Sequence, residues 1–184
     1  MAKIGIIIGT NRPARIGRGI AKWLQRTMQY DGLQIDLIDL AEINLPFLDE
    51  PKTADTQEYT QEHTRQWSQL IKGYDGFVLL FPQYNWGYPA VLKNALDFLY
   101  HEWNGKPVSL ACYGGHGGFQ GSLAMELVIQ GLKMKKMTAN LPLNIEDDMF
   151  DQNGQFKDLE SSLAPNAYAA QEISAEFGHL LNKD

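Results

Sequence analysis

Residues 4–17 read IGIIIGTNRPARIG, an apolar run that stops at a glycine and continues into a polar, basic loop. The apolar run at residues 4–8 predicts a β-strand that is covered on both faces, as in parallel sheets. From residue 16 the apolar positions recur at helical spacing, which predicts a helix over residues 16–28. A strand, a loop and a helix in succession are the building unit of α/β proteins.

The same alternation continues to the end of the sequence. It predicts further strands at residues 33–40, 77–81, 107–114 and 138–145, and further helices at residues 56–71, 89–99, 123–134 and 159–181. Because parallel strands need long crossover connections, this pattern predicts a flavodoxin-like three-layer α/β sandwich with a five-stranded parallel sheet. Five strands favour the order 2-1-3-4-5 over the six-stranded dinucleotide-binding order. No linker or repeat is apparent, so residues 1–184 are predicted to form a single domain.

The composition excludes several classes of partner. The net charge of −6 argues against a nucleic-acid backbone or an anionic membrane as the main partner. The single cysteine, Cys112, cannot form an intramolecular disulfide and fits a reducing compartment. No apolar run has the length of a membrane span or a signal-peptide core. We therefore expect a cytoplasmic protein that uses neither nucleic acid nor membrane.

The predicted strand order locates the functional site. Ligands of open α/β sheets bind beyond the carboxyl ends of the strands, at the point where the strand order reverses. In the order 2-1-3-4-5 this point lies between the first and third strands. The loops that follow residues 8, 81 and 113 are therefore expected to meet there.

The first of these loops, residues 9–17, has the character of a phosphate site. A helix N-terminus offers unpaired N–H groups and the positive end of the helix dipole. Thr10 and Asn11 add short polar side chains, while Arg12 and Arg15 add positive charge. The loop matches neither the Walker A motif nor G-x-G-x-x-G. The alternative is an ordinary helix start with solvated arginines.

The second loop reads PQYNWGYP at residues 82–89 and places three aromatic side chains between two prolines. Such a rigid loop presents flat rings and main-chain N–H groups to one point, which suits a planar heterocycle with polar edges. The alternative is an aromatic plug at the end of the sheet.

The third loop reads GGHGG at residues 114–118. Four glycines in five residues are entropically costly unless the backbone approaches another group closely. The alternative is a flexible loop. The four histidines of the chain lack metal-ligand spacing, so no metal site is predicted.

Several motifs together resemble those of a known family. They are Gly9-Thr10-x-Arg12, PQYNWGYP at residues 82–89 followed by LKNALD at residues 92–97, HEWNGKP at residues 101–107, and YGGHGG at residues 113–118. This combination is similar to the NAD(P)H-dependent FMN reductase family and, within it, to the FMN-containing quinone reductases known from fungi. The resemblance spans about residues 4–140.

The resemblance implies non-covalently bound FMN. The residues implied to hold its phosphate are Gly9, Thr10, Asn11, Arg12, Arg15, Ile16 and Gly17. Those implied to lie along its ring are Pro82, Gln83, Tyr84, Asn85, Trp86 and Gly87, with Gly114, Gly115, His116, Gly117 and Gly118 at the ring's other edge. Many family members have serine in place of Thr10 and glutamate in place of Gln83. Thr10 keeps the hydroxyl that serine provides. If the backbone of Gln83 makes the flavin contacts, the change from glutamate to glutamine should matter little.

The resemblance also implies the reaction. NADPH or NADH would reduce the flavin, which would pass hydride to a small acceptor such as a quinone or free flavin. No side chain is required as an acid or base, so no catalytic residue is named. Family members form homodimers or homotetramers with the flavin close to an interface, and Trp103 or residues 100–102 would approach it from a partner.

Two other functions remain open from the sequence. A flavodoxin-type electron carrier would bind FMN without oxidising NAD(P)H, although its phosphate loop usually lacks arginine. A signalling receiver of the same fold would need a cluster of acids at the strand ends, and the loop after residue 8 offers none.

Overall fold

The computed structural model describes residues 1–181, so the last three residues of the predicted domain lie outside the described part. The strands are β1 (Ala2–Ile8), β2 (Leu33–Asp39), β3 (Gly76–Pro82), β4 (Pro107–Gly114), β5 (Lys135–Lys136) and β6 (Leu141–Asn144). The helices are α1 (Gly17–Thr27), α2 (Leu40–Ile43), α3 (Glu62–Lys72), α4 (Ala90–Asp97), α5 (Phe119–Gly131), α6 (Leu159–Leu163) and α7 (Ala167–Leu181). The strands pair in parallel in the order β2-β1-β3-β4, and both β5 and β6 pair with β4. The predicted fold and strand order are confirmed.

The core lies on both faces of the sheet. Ile4, Ile6 and Ile8 of β1 pack with α1 and α7, whereas Ile7 packs on the opposite face with the helices α3, α4 and α5. All seven residues of β3 are buried. Strands covered on both faces explain why the sequence shows continuous apolar runs rather than alternation.

The helix predicted over residues 56–71 begins later, at Glu62. The carboxylate of Glu50 accepts the N–H groups of Thr60, at 2.8 Å, and Gln61, at 3.0 Å. These bonds hold the preceding chain in a non-helical path, in which Gln61 is extended. Burial by itself raises the pKa of Glu50, but the hydrogen bonds, led by that from the Thr60 N–H, outweigh it and lower the pKa to about 2.

The strand predicted over residues 138–145 is confirmed only over Leu141–Asn144, the strand β6, and the two-residue strand β5 precedes it. Between β5 and β6 the chain leaves the sheet, and side chains take over the pairing with β4. The Asn140 Oδ1 atom accepts the Leu110 N–H at 2.9 Å, and the Ser109 hydroxyl donates to the Ala139 carbonyl at 2.8 Å. A backbone pattern cannot indicate such a replacement, because the partner atoms belong to side chains.

Three helix predictions also have wrong boundaries. The predicted helix over residues 123–134 starts at Phe119, where the glycine loop ends, and finishes at Gly131. Helix α4 is shorter than the predicted 89–99, since Pro89 precedes it and the helix ends at Asp97. The terminal helix is interrupted at Ala164–Asn166, where Pro165 lacks the N–H that a continuous helix needs.

None of the helices in residues 1–181 is long and apolar enough to span a membrane.

Candidate functional site

The first two predicted loops meet at the carboxyl edge of the sheet, between β1 and β3. The hydroxyls of Thr10 and Tyr84 lie 3.5 Å apart, and the guanidinium of Arg12 lies 5.9 Å from the centre of the Tyr84 ring. The third loop adjoins the second, because the Gln83 N–H donates to the Tyr113 carbonyl at 2.9 Å. We call the surface formed by residues 9–17, 82–87 and 114–118 the cradle.

The start of α1 presents free hydrogen-bond donors. Ile16 precedes the helix without a side-chain cap, and the first turn carries no acidic residue. The N–H groups of Gly17 and Arg18 have no partner within residues 1–181. The Arg15 Nε atom is buried and also lacks a partner among these residues. Donors that are left without acceptors beside a helix N-terminus form a site for an anion.

Arg15 forms an ion pair with Asp39, an acidic residue that sequence reasoning did not identify. The Asp39 carboxylate accepts from Arg15 Nη2 at 2.7 Å, and its other oxygen accepts the Ala41 N–H at 3.1 Å. Asp39 is the last residue of β2, so its position at the carboxyl edge of the sheet was the available signal. The pair fixes the guanidinium and leaves its Nε for another acceptor.

Tyr113 is a second residue that was missed as a site residue. A Cβ atom on Gly17 would lie only 2.8 Å from the Tyr113 hydroxyl, so glycine lets α1 approach this side chain closely. Burial raises the pKa of Tyr113 well above its usual range, and the hydroxyl therefore stays protonated as a potential donor. Its place as the last side chain before the glycine loop was the only hint in the sequence.

The second loop is a tight turn with an unusual backbone. The N–H groups of Tyr84 and Gly87 each donate to the other's carbonyl, at 2.9 and 2.8 Å. Asn85 and Trp86 between them have φ angles of 48° and 65°, a left-handed conformation that bulky residues rarely adopt. Trp86 is 71% exposed, so it does not plug the end of the sheet. Strain of this kind is commonly kept where it serves a site.

The glycine loop is packed rather than loose. It forms a short 3₁₀ turn, Gly115–Gly118, in which Gly117 and Gly118 are buried. Gly118 has a φ of 65°, and a Cβ atom there would lie 2.4 Å from the Cys112 Sγ. The Gln83 Oε1 atom accepts the Gly121 N–H at 2.8 Å and so ties the second loop to the first turn of α5, which follows the glycine loop.

The first two loops of the cradle line a cavity of about 380 Å³, whereas no residue of the glycine loop, 114–118, lines it. Its lining consists of Arg12, Ala14, Arg15, Ile16, Pro82, Tyr84, Tyr113, Asp147, Phe150 and Gly154. The last three follow β6 and were not predicted. Asn85, Trp86, Gly115 and His116 are exposed and do not line the cavity. Gly9 is buried instead, and its N–H donates to the Leu80 carbonyl at 2.7 Å.

The expectation that Trp103 approaches a partner's flavin is wrong. Trp103 is fully buried, its ring centre lies 5.1 Å from that of Phe77, and its Nε1 donates to the Leu96 carbonyl at 3.1 Å. Its place in the motif reflects core packing. Cys112 is likewise buried, and burial raises the pKa of its thiol to about 11, which keeps it unreactive.

Comparisons with known proteins identify the family of this chain. The family model described as NADPH-dependent FMN reductase matches residues 2–145. The NAD(P)H-dependent FMN reductase LOT6 of Saccharomyces cerevisiae is 41% identical over 144 residues, which cover 72% of this chain and 75% of the relative. The NAD(P)H-dependent FMN reductase C4B3.06c of Schizosaccharomyces pombe is 46% identical over 139 residues, which cover 72% of this chain and 68% of the relative.

A solved structure supports the fold over the whole length. The flavoenzyme NAD(P)H:(acceptor) oxidoreductase FerB of Paracoccus denitrificans superimposes with a TM-score of 0.74 and 18% identity, covering 97% of this chain and 98% of that one. The family match includes every residue of the cradle. The chain belongs to the NADPH-dependent FMN reductase family.

Proposed function

We propose that the cradle holds FMN without a covalent bond and that residues 1–184 act as one cytoplasmic domain. The chain is an FMN-dependent NAD(P)H oxidoreductase that reduces a small acceptor such as a quinone or free flavin. The observation that carries the site assignment is the uncapped start of α1 beside the buried, unpartnered Arg15 Nε. A phosphate is the part of FMN that such donors fit.

The phosphate end of the cradle would supply a positive charge and oriented hydrogen-bond donors. Arg15, held by Asp39, would bind a phosphate oxygen through Nε, and the N–H groups of Gly17 and Arg18 would bind others. Charge-assisted hydrogen bonds of this type are about twice as strong as neutral ones. Thr10 is 1% exposed in the same loop, and its hydroxyl keeps the polar function that serine has in many relatives.

The ring end of the cradle supplies shape and backbone donors. When bound, FMN supplies the chemistry of accepting hydride from NAD(P)H and delivering it to the acceptor. The turn leaves the N–H groups of Asn85 and Trp86 without partners within residues 1–181, so they are available to the polar edge of a planar ring. Preorganised N–H dipoles stabilise negative charge that develops on such an edge.

A visible spectrum tests the proposal directly. Purified protein is expected to show the absorbance of oxidised flavin with one FMN per chain, to bleach with NADPH under anaerobic conditions, and to turn over with menadione. A flavodoxin-type carrier would bind FMN but would not be bleached by NADPH. Protein that stays colourless after incubation with excess FMN would contradict the proposal.

We also propose that the protein is a homodimer or homotetramer. Phe119, Leu123 and Leu127 recur every four residues on α5, and all three side chains are more than half exposed. An apolar stripe of this kind is a typical subunit interface. We expect Leu123→Glu to lower the mass measured by light scattering, while Tyr168→Glu on α7, also at an exposed side chain, leaves it unchanged. A parent mass of 20.8 kDa would contradict the proposal.

A further inference from the structure

The cavity in the cradle, which we call the cradle cavity, is lined in part by the chain that follows β6. Asp147, Phe150 and Gly154 line it, and we call these three residues the wall. Arg15, whose Nε atom is a donor proposed for the phosphate, lines the same cavity. A phosphate held by Arg15 would therefore share this cavity with the wall.

The chain that carries most of the wall is a hydrogen-bonded hairpin, residues 149–157. The Lys157 N–H donates to the Met149 carbonyl at 2.9 Å, and the Asp151 N–H donates to the Gln155 carbonyl at 2.8 Å. The Asp151 Oδ1 atom also accepts the Gln155 N–H, at 3.0 Å. These bonds fix the backbone of the hairpin at the cradle cavity.

The largest side chain of the wall is Phe150, and a second aromatic ring holds it. The ring centres of Phe150 and Phe156 lie 4.7 Å apart. Phe156 packs in turn against the core on the side of the sheet that carries α1 and α7, and it does not line the cradle cavity. Aromatic pairs at such a distance stabilise each other beyond the area that they bury. Phe150 is therefore a fixed part of the wall.

The charges around the cradle cavity distinguish one flavin from another. Arg12 and Arg15 line the cavity and suit the dianionic phosphate monoester at the end of FMN, whereas the wall contributes the carboxylate of Asp147. FAD has an adenosine monophosphate attached to this phosphate, so it brings a second phosphate and a nucleoside. The Asp147 carboxylate disfavours the second phosphate, and the fixed ring of Phe150 disfavours the added bulk.

We propose that the wall makes the cradle selective for a flavin phosphate monoester over a flavin dinucleotide, with Phe150 and Asp147 as specificity-determining residues. The proposal rests on the function proposed above and names the class of flavin that the same site accepts. The apoprotein of the full chain is expected to bind FMN at least about tenfold more tightly than FAD, a difference that one unfavourable contact can produce.

Phe150→Ala provides the first test, by isothermal titration calorimetry of the apoprotein with FMN and with FAD that has been freed of FMN. The Kd for FAD divided by the Kd for FMN should fall about tenfold, because steric overlap with a bulky ring has an effect of this order. Phe156→Ala is the matched control. It also breaks the aromatic pair, but Phe156 does not line the cradle cavity, so the ratio should change less.

Asp147→Asn provides a second test, which removes the charge of the wall and keeps its shape. Asp147 is exposed, so the fold should be retained. The Kd for FAD should fall more than the Kd for FMN, because only FAD has a second phosphate to bring near this side chain. Asp148→Asn is the matched control, since Asp148 is also exposed but does not line the cradle cavity. Its ratio of the two Kd values should equal that of the parent.

The outcomes separate this inference from the proposed function. A parent that binds neither flavin overturns both. A parent that binds FAD as tightly as FMN overturns only the selectivity of the wall. A ratio that stays at the parental value in Phe150→Ala and Asp147→Asn also overturns it, and so does an equal fall of the ratio in Phe150→Ala and Phe156→Ala. Circular dichroism checks the fold of each variant, and Asp147→Asn decides alone if Phe150→Ala does not fold.

Discussion

Replacing Arg15 by glutamine is expected to raise the Kd for FMN about a hundredfold, which corresponds to about 2.7 kcal/mol. The substitution removes the guanidinium whose buried Nε atom lacks a partner beside the start of α1. A charge-assisted hydrogen bond to a phosphate is worth about 1.5–3 kcal/mol, and the lost positive charge adds to it. Quenching of FMN fluorescence on titration with apoprotein measures the Kd.

Arg18→Gln is the matched control for this variant. Arg18 also approaches Asp39, at 3.6 Å, but its side chain is half exposed and does not line the cradle cavity. Its removal should change the Kd for FMN by less than about threefold, because exposed charges are screened. The Kd of Arg15→Lys for FMN should lie between those of the parent and of Arg15→Gln, since an ammonium keeps the charge without the planar guanidinium. An equal rise of the Kd for FMN in Arg15→Gln and Arg18→Gln would contradict a specific role for Arg15.

Glu102→Ala is expected to lower the free energy of unfolding by about 3 kcal/mol, the size typical of breaking a buried polar cluster. The Glu102 carboxylate is fully buried and accepts the hydroxyls of Ser68, at 2.6 Å, and Tyr59, at 3.0 Å. Lys72 Nζ lies 3.6 Å away. Truncation leaves these groups without their acceptor beneath the segment that leads into α3. Urea denaturation measures the change.

Glu58→Ala serves as the comparison for Glu102→Ala. Glu58 pairs with Lys52 on the surface, where both side chains are exposed. Such pairs contribute little, so the free energy of unfolding should change by less than about 1 kcal/mol. A loss in Glu102→Ala no larger than that in Glu58→Ala would show that the buried cluster is not stabilising.

The same cluster makes stability depend on pH. Burial by itself raises the pKa of Glu102, but hydrogen bonds, led by that from Ser68, and the charge of Lys72 outweigh it, so the pKa is lowered. A lowered pKa gives stability that is present above the unfolded value of about 4.3 and is lost as the pH falls through the folded pKa. Glu102→Gln cannot titrate. Its free energy of unfolding should therefore fall less steeply than that of the parent below about pH 4.3.

The sequence was sufficient to predict the sheet order and the meeting of three loops at one edge of the sheet. Continuous apolar runs such as residues 4–8 mark strands covered on both faces, and the right-handed crossover rule then limits the topology. The loops after residues 8, 81 and 113 meet as expected, because parallel strands place their carboxyl ends on one edge. These inferences depend on backbone geometry, which local patterns specify.

What the sequence did not predict depends on side chains from distant segments. Asn140 replaces a strand bond and Asp39 holds Arg15, and neither contact leaves a trace in local periodicity. Trp103 was wrongly expected at a flavin because its motif is shared, although its ring fills the core. The segment with Phe150 reaches the cradle cavity only through the tertiary fold.

Hydrogen–deuterium exchange on the apoprotein, with and without FMN, tests the cradle most directly. FMN should slow exchange of the amides in residues 10–17, 82–87 and 114–118 together, while peptides from α3 and α7 exchange as before. Protection that leaves out the start of α1, or that falls on another edge of the sheet, would contradict the assignment of these loops to the flavin.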